Sequence, residues 1–193
     1  MKIIKFFYDL ETTGLNCMKH SIHQLAGLIE VDGEVVEEVN LKIQPHPKAE
    51  IDPYALEVGG VTKEQIMAYP TMQVAYKQLI KLLSRYVDKF DKTDKMYLCG
   101  YNNASFDNNF LRVFFELNKD PYMMSWFWPG SLDVMILAAE YLLEERREMP
   151  NFQLKTVAKW LGIGVEENKL HEAGYDVYLT REVYKIVTYR DLL

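Results

Sequence analysis

Asp9 and Glu11 stand two residues apart in Tyr8-Asp9-Leu10-Glu11-Thr12-Thr13-Gly14, directly after an apolar run. Further along come Asp107, closing Asn103-Ala104-Ser105-Phe106-Asp107, and then His171 and Asp176 in His171-Glu172-Ala173-Gly174-Tyr175-Asp176. Drawn together by a fold, these carboxylates are what hard divalent cations bind, and a histidine beside them can take a proton from water. Residues i and i+2 of a strand share a face, so Asp9 and Glu11 point the same way. Two like charges placed side by side out of water are unfavourable unless a cation neutralises them. Each signal also has a plainer explanation. Asp9 and Glu11 can mark a strand end running into a polar turn, and Asp107 can be an acid that favours a helix N-terminus. His171 and Asp176, five apart, fall off one helical face, so His171 is expected in a loop leading into the last helix.

The elements that would position these residues can be read from hydrophobic periodicity. Residues 2–8 read as a buried strand. Residues 22–31 and 34–44 are apolar-rich runs on either side of Asp32-Gly33, a strong hairpin signal. Residues 53–68 read as short helical pieces around Gly59-Gly60, with Thr62 as an N-cap. Apolar residues at helical spacing predict a helix from Thr71 to about Lys89, a short strand follows at 96–101, and a helix opens at Ser105 or Asp107. Trp126-Phe127-Trp128 reads as a brief strand before a helix at roughly 132–147, and residues 153–161 and 176–190 complete a helical C-terminal third. Three antiparallel strands followed by strand–helix alternation is an α/β pattern on a mixed sheet. With no repeat or linker, residues 1–193 read as one domain.

Charge does not decide the partner. The 22 Lys and Arg against 28 Asp and Glu leave a net −6, whereas proteins that hold a polyanion by their own charge are usually basic. Bound divalent ions would reverse that balance locally. Two cysteines without a CxxC suggest no disulfide framework, and no run reaches 18 apolar residues, so a reducing, cytoplasmic setting is expected.

Together the three acidic segments resemble the DEDDh branch of the DEDD superfamily of 3′-to-5′ exonucleases, which includes the bacterial polymerase III epsilon proofreading subunit, ribonuclease T and oligoribonuclease. Asp9-Leu10-Glu11-Thr12-Thr13-Gly14 matches the first motif, Asn103-Ala104-Ser105-Phe106-Asp107 the second, and His171 with Asp176 the third. Ile22-His23-Gln24-Leu25-Ala26 and Leu154 to Ile163 extend the likeness over about residues 3–188. The resemblance implies a ribonuclease H-like fold with a mixed five-stranded sheet, three strands antiparallel and then two parallel, flanked by helices. It implies a single-stranded nucleic acid 3′ end as substrate, nucleoside 5′-monophosphates as product, and two Mg²⁺ per site, with Mn²⁺ able to substitute. Asp9 would bridge both metals, Glu11 and Asp176 would complete one shell, Asp107 would hold the second ion, and His171 would be the base. Leu10, Thr12, Thr13, Gly14, Leu15, Asn103 and Phe106 would meet the terminal nucleotides. DNA is expected over RNA, with an RNA trimmer like ribonuclease T as the alternative. A subunit acting mainly as a partner of a polymerase or nuclease complex is the alternative outside the enzyme class. One segment departs from the family pattern: its usual His-Gly-Ile is Gly59-Gly60-Val61 here, which bears on the grip on the end nucleotides.

Other features of the right chemistry are weaker. Asp133 precedes an apolar helix and reads as its N-terminal acid. Cys17, His20 and His23 offer zinc-type ligands, but only three, straddling a loop and a strand. Trp126 and Trp128 could stack on bases but read as core.

Overall fold

In the computed structural model, residues 2–169 and 172–188 are described. β1 (Ile4–Thr12), β2 (Ile22–Val31), β3 (Glu34–Lys42), β4 (Tyr97–Gly100) and β5 (Leu132–Asp133) form one sheet in the order β3-β2-β1-β4-β5. The first three strands pair antiparallel; β4 lies parallel to β1, and β5 parallel to β4. This is the mixed ribonuclease H-like sheet expected from the resemblance. Asp32 and Gly33 join β2 to β3 with φ of 51° and 93°, a turn whose twist suits the flanking strands.

β1 lies at the centre and is covered on both sides, which is why apolar residues on both of its faces are buried, with Lys5 as the buried exception. Phe6, Tyr8 and Leu10 join one core with α3 (Met72–Leu83) and α4 (Asp107–Leu117). Phe7 faces a second core with α5 (Val134–Tyr141), α6 (Leu154–Trp160) and α7 (Ala173–Thr188). Two short helices, α1 (Pro53–Val58) and α2 (Lys63–Met67), flank Gly59-Gly60. Thr62 and Gln65 close a reciprocal capping box on α2, satisfying two donors the helix end would otherwise leave orphaned.

Several boundaries differ from those read in the sequence; the helix expected from Thr71 to about Lys89 ends at Leu83. β1 runs on through Thr12, because its backbone keeps pairing with β2 at Asp9↔Ala26 and Glu11↔Gln24, and a ladder is indifferent to side-chain polarity. The last strand is Leu132–Asp133, not residues 126–128; Phe127 makes only an isolated bridge to Met96, and Trp126 is core. The helix expected over 132–147 stops at Tyr141, since residues 143–148 are all exposed and have no core to pack on. Among the described residues, no helix is long and apolar enough to cross a membrane.

Candidate active site

Strand alternation sends Asp9 and Glu11 to the face of β1 that Phe7 shares with α7. Asp176 lies in the first turn of α7, next to Val177, which is buried in that same core. Asp107 opens α4, just beyond the end of β4. The parallel pairing Phe7↔Cys99 brings β4 alongside β1, and Asp107 Oδ1 accepts the Leu10 backbone N–H at 3.2 Å. Four acids from three distant segments thus converge near the end of β1 and the starts of two helices, α4 and α7. His171 lies outside the described residues.

The electrostatics of this cluster run one way. Burial pushes the Asp9 carboxyl well above the usual range, and Asp107, Glu11 and Asp176 add to it. Glu11 is pushed up to about 7 by burial and by Asp176, against the pull of the Lys42 ammonium. Asp107 also reaches about 7, mainly by burial, although its backbone hydrogen bonds work the other way. Among the described residues, no three His, Cys, Asp or Glu side chains are already gathered closely enough to hold a metal ion. The donor set fits a hard divalent cation by its oxygen chemistry and by the repulsion such an ion would relieve, and not as a finished cage.

The residues expected at the substrate fall into two groups. Leu15 is 84% exposed beside the motif, and Phe106 and Thr12 are partly exposed. Leu10, Thr13, Gly14 and Asn103 are buried. The Thr13 hydroxyl donates to Glu50 O at 2.7 Å and accepts the Ser21 N–H at 3.0 Å, so it pins the loop. Gly14 is required by close approach, because a Cβ there would run into the His20 ring. Asn103 turns inward, its Oδ1 accepting from Ser131 Oγ at 3.3 Å. A Cβ on Gly59 would stand 3.6 Å from Glu11 Oε2, so the segment that departs from the family pattern borders the acids.

Several further residues border the site without a signal in the sequence. Lys42 lies on the rung of Glu11, through the pairings Glu11↔Gln24 and Gln24↔Lys42, and donates to Gln24 Oε1 at 2.5 Å. No local pattern announces a cation two strands away. Tyr8 donates to Asn108 Oδ1 at 2.5 Å, and Asn108 Nδ2 donates to Ser131 Oγ at 3.0 Å, linking β1, α4 and the approach to β5. His23 is fully buried with neither ring nitrogen hydrogen-bonded, and burial holds it down at about 4. No zinc-type group forms around Cys17, His20 and His23 among the described residues.

Comparison with known proteins shows what this chain is similar to. Exodeoxyribonuclease I of Escherichia coli is 29% identical over 200 residues, covering 95% of this chain and 40% of that protein. The PolC-type DNA polymerase III of Mycoplasmopsis pulmonis is 25% identical over 92% of this chain but only 11% of its own length. Ribonuclease T of Photorhabdus laumondii is 23% identical over 91% of this chain and 79% of its own. The chain therefore spans well under half the length of the first two curated relatives it matches. The crystal structure of E. coli Exonuclease I with a dT13 oligonucleotide superposes with a TM-score of 0.77 at 26% identity, over 97% of this chain and 41% of that one. A model of the family described as Exonuclease matches residues 6–184. That match runs from within β1 to within α7 and takes in every acid of the cluster, so the chain belongs to this exonuclease family, in the DEDDh group.

Proposed function

We propose that the protein is a divalent-metal-dependent 3′-to-5′ exonuclease that removes nucleoside 5′-monophosphates from single-stranded DNA. The observation that carries this reading is the bond from Leu10 N–H to Asp107, which anchors the third acid at the residue between the first two. Asp9, Glu11, Asp107 and Asp176 would hold the cations, with Mg²⁺ suited to an all-oxygen donor set. Such ions, when bound, lower the pKa of water and stabilise charge on the leaving oxygen. The chain's own residues supply the rest. The His171 ring takes the proton of the attacking water, a role worth about 10²–10⁴-fold. Leu15 and Phe106 press on the bases of the terminal nucleotides, and Thr12 lies near the 3′-hydroxyl. The buried Leu10, Thr13, Gly14 and Asn103 fix the two loops that present those contacts.

DNA is favoured because exodeoxyribonuclease I and the DNA polymerases are among the relatives, and solved Exonuclease I structures hold single-stranded DNA. An RNA 3′-end trimmer is the second reading, favoured by the 79% of ribonuclease T that this chain covers. The match to a domain within PolC-type polymerases also supports a role beside a polymerase. The deciding experiment digests matched 3′- and 5′-labelled single-stranded DNA and RNA with Mg²⁺, Mn²⁺ or EDTA, using wild type and Asp9→Ala. Stepwise, metal-dependent loss from the 3′ end, absent in the variant, is expected. No digestion of either strand with either metal would sink the reading.

A further inference from the structure

The six residues between β4 and Asp107 must turn sharply to bring the third acid back onto β1. Asn102 takes φ of 62° in this turn, a left-handed conformation that non-glycine residues adopt only when their surroundings hold them. Three backbone N–H groups near it end on one carboxylate. Asp133 Oδ1 accepts from Asn102 N at 3.0 Å, Oδ2 from Ala104 N at 3.1 Å, and Oδ1 also from Met135 N at 3.0 Å. Asp133 is 5% exposed, and the pairing Gly100↔Asp133 sets it beside the last residue of β4.

An acid that merely capped α5 would need only the bond to Met135. Two of its three bonds instead leave that helix for a segment about 30 residues earlier. Hydrogen bonds to a carboxylate are about twice as strong as neutral ones, and these two fall on both sides of Asn103. The Asn103 carbonyl in turn accepts Asn108 N at 2.9 Å in the first turn of α4, and a Cβ on Gly100 would lie 2.7 Å from Asn103 Cβ, so the turn has little room to shift. We infer that Asp133 is a positioning residue: its carboxylate clamps the Asn102–Ala104 turn and thereby sets where Asp107 stands against Asp9 and Glu11. This rests on the proposed metal-dependent reaction only where it concerns the consequence for metal affinity; the clamp itself does not.

The test compares Asp133→Ala and Asp133→Asn with wild type and with Tyr76→Phe. The last variant loses the 2.6 Å bond to Asp120 and serves as a stability control in another part of the fold. Amide hydrogen exchange at Asn102 and Ala104, Mn²⁺ affinity by calorimetry, and thermal unfolding are measured on each. In Asp133→Ala, exchange at both amides is expected to quicken and Mn²⁺ affinity to fall about 10–100-fold, the range for residues that orient metal ligands. Asp133→Asn keeps one acceptor oxygen and no charge, so a clamp places it between wild type and Asp133→Ala. Equal losses in the two variants would mean that only the charge matters and would overturn the inference. So would unchanged exchange with Mn²⁺ affinity within about twofold of wild type. If Asp133→Ala does not fold, Asp133→Asn decides by the same two readouts. Absence of Mn²⁺ binding in the wild type would sink the proposed function, while the amide exchange would still judge the clamp.

Discussion

Asp107 Oδ1 accepts the backbone N–H of Leu10 at 3.2 Å, across 97 residues of sequence. The bond ties the first residue of α4 to the strand position flanked by Asp9 and Glu11. An acid held by β1's own backbone cannot drift away from the acids of β1. The bond therefore holds Asp107 close to charges that repel it, which is what the proposed cation site requires.

Asp107→Asn separates the charge from the scaffold. Asparagine keeps an acceptor for Leu10 N–H and removes the repulsion, so the metal-free variant should melt at or above wild type near pH 7. Loss of several kcal/mol of metal-assisted stabilisation corresponds to a fall of about 10³-fold in kcat on labelled single-stranded DNA. Calorimetry and single-turnover rates check the two halves independently. A melt far below wild type would make Asp107 a structural residue instead.

The metal-free protein should lose stability as pH rises. Glu11 and Asp107 move from 4.5 and 3.8 to about 7 on folding. Between about pH 4 and 7 the folded state therefore keeps protons that the unfolded chain has released. Fewer protons bound in the unfolded state means stability falls with rising pH across that window, and the loss is complete above it. Melting temperatures in EDTA should decline from about pH 4 to about 7, while Mg²⁺ should flatten the decline. A flat or rising metal-free curve would contradict the repulsion assigned to the cluster.

Glu30 contributes in the opposite sense and at lower pH. Burial alone would raise it, but hydrogen bonds from Lys5 and Arg181, at 2.7 and 2.8 Å, bring it below its ordinary 4.5. Its stabilisation is present above that value and is lost as pH falls through the lowered one. Glu30→Ala removes the carboxylate shared by Lys5 and Arg181, and urea unfolding should show a loss of at most about 3–5 kcal/mol. Activity of the remaining folded fraction should be unaffected, since the bridge lies toward the start of β1, away from the acids.

Leu15→Ala and Phe106→Ala should act on substrate binding. Loss of base contact at Phe106 is worth about 1–3 kcal/mol, or roughly fivefold to a hundredfold in KM. Leu15, 84% exposed, can be truncated with a stability change within about 0.5 kcal/mol. Steady-state kinetics on oligonucleotides of one length, beside thermal melts, resolve the two effects. KM values equal to wild type in both variants would remove these residues from the substrate path.

Much of this molecule is legible in the chain because its signals are local. The acids Asp9 and Glu11 share a face by strand geometry, Asp32-Gly33 announces its hairpin, and the stripes of α3 and α4 follow from helical period. Motif order and spacing also suffice to select the family. Local periodicity says which face of an element is apolar, but not which strand it pairs with or in what register. That is why residues 126–128 read as a strand although the sheet takes Leu132–Asp133 instead, and why Lys42 arrives on the Glu11 rung unannounced. It is also why Thr13 and Asn103, polar residues within motifs, turn inward to bond Glu50 and Ser131. Asp133 reads in sequence as an ordinary helix N-cap. Its bonds to Asn102 and Ala104 exist only because the parallel pairing of β4 with β5 sets Gly100 beside Asp133. Chemistry in this protein is encoded by residue type, and its placement by long-range pairing that no short window of sequence contains.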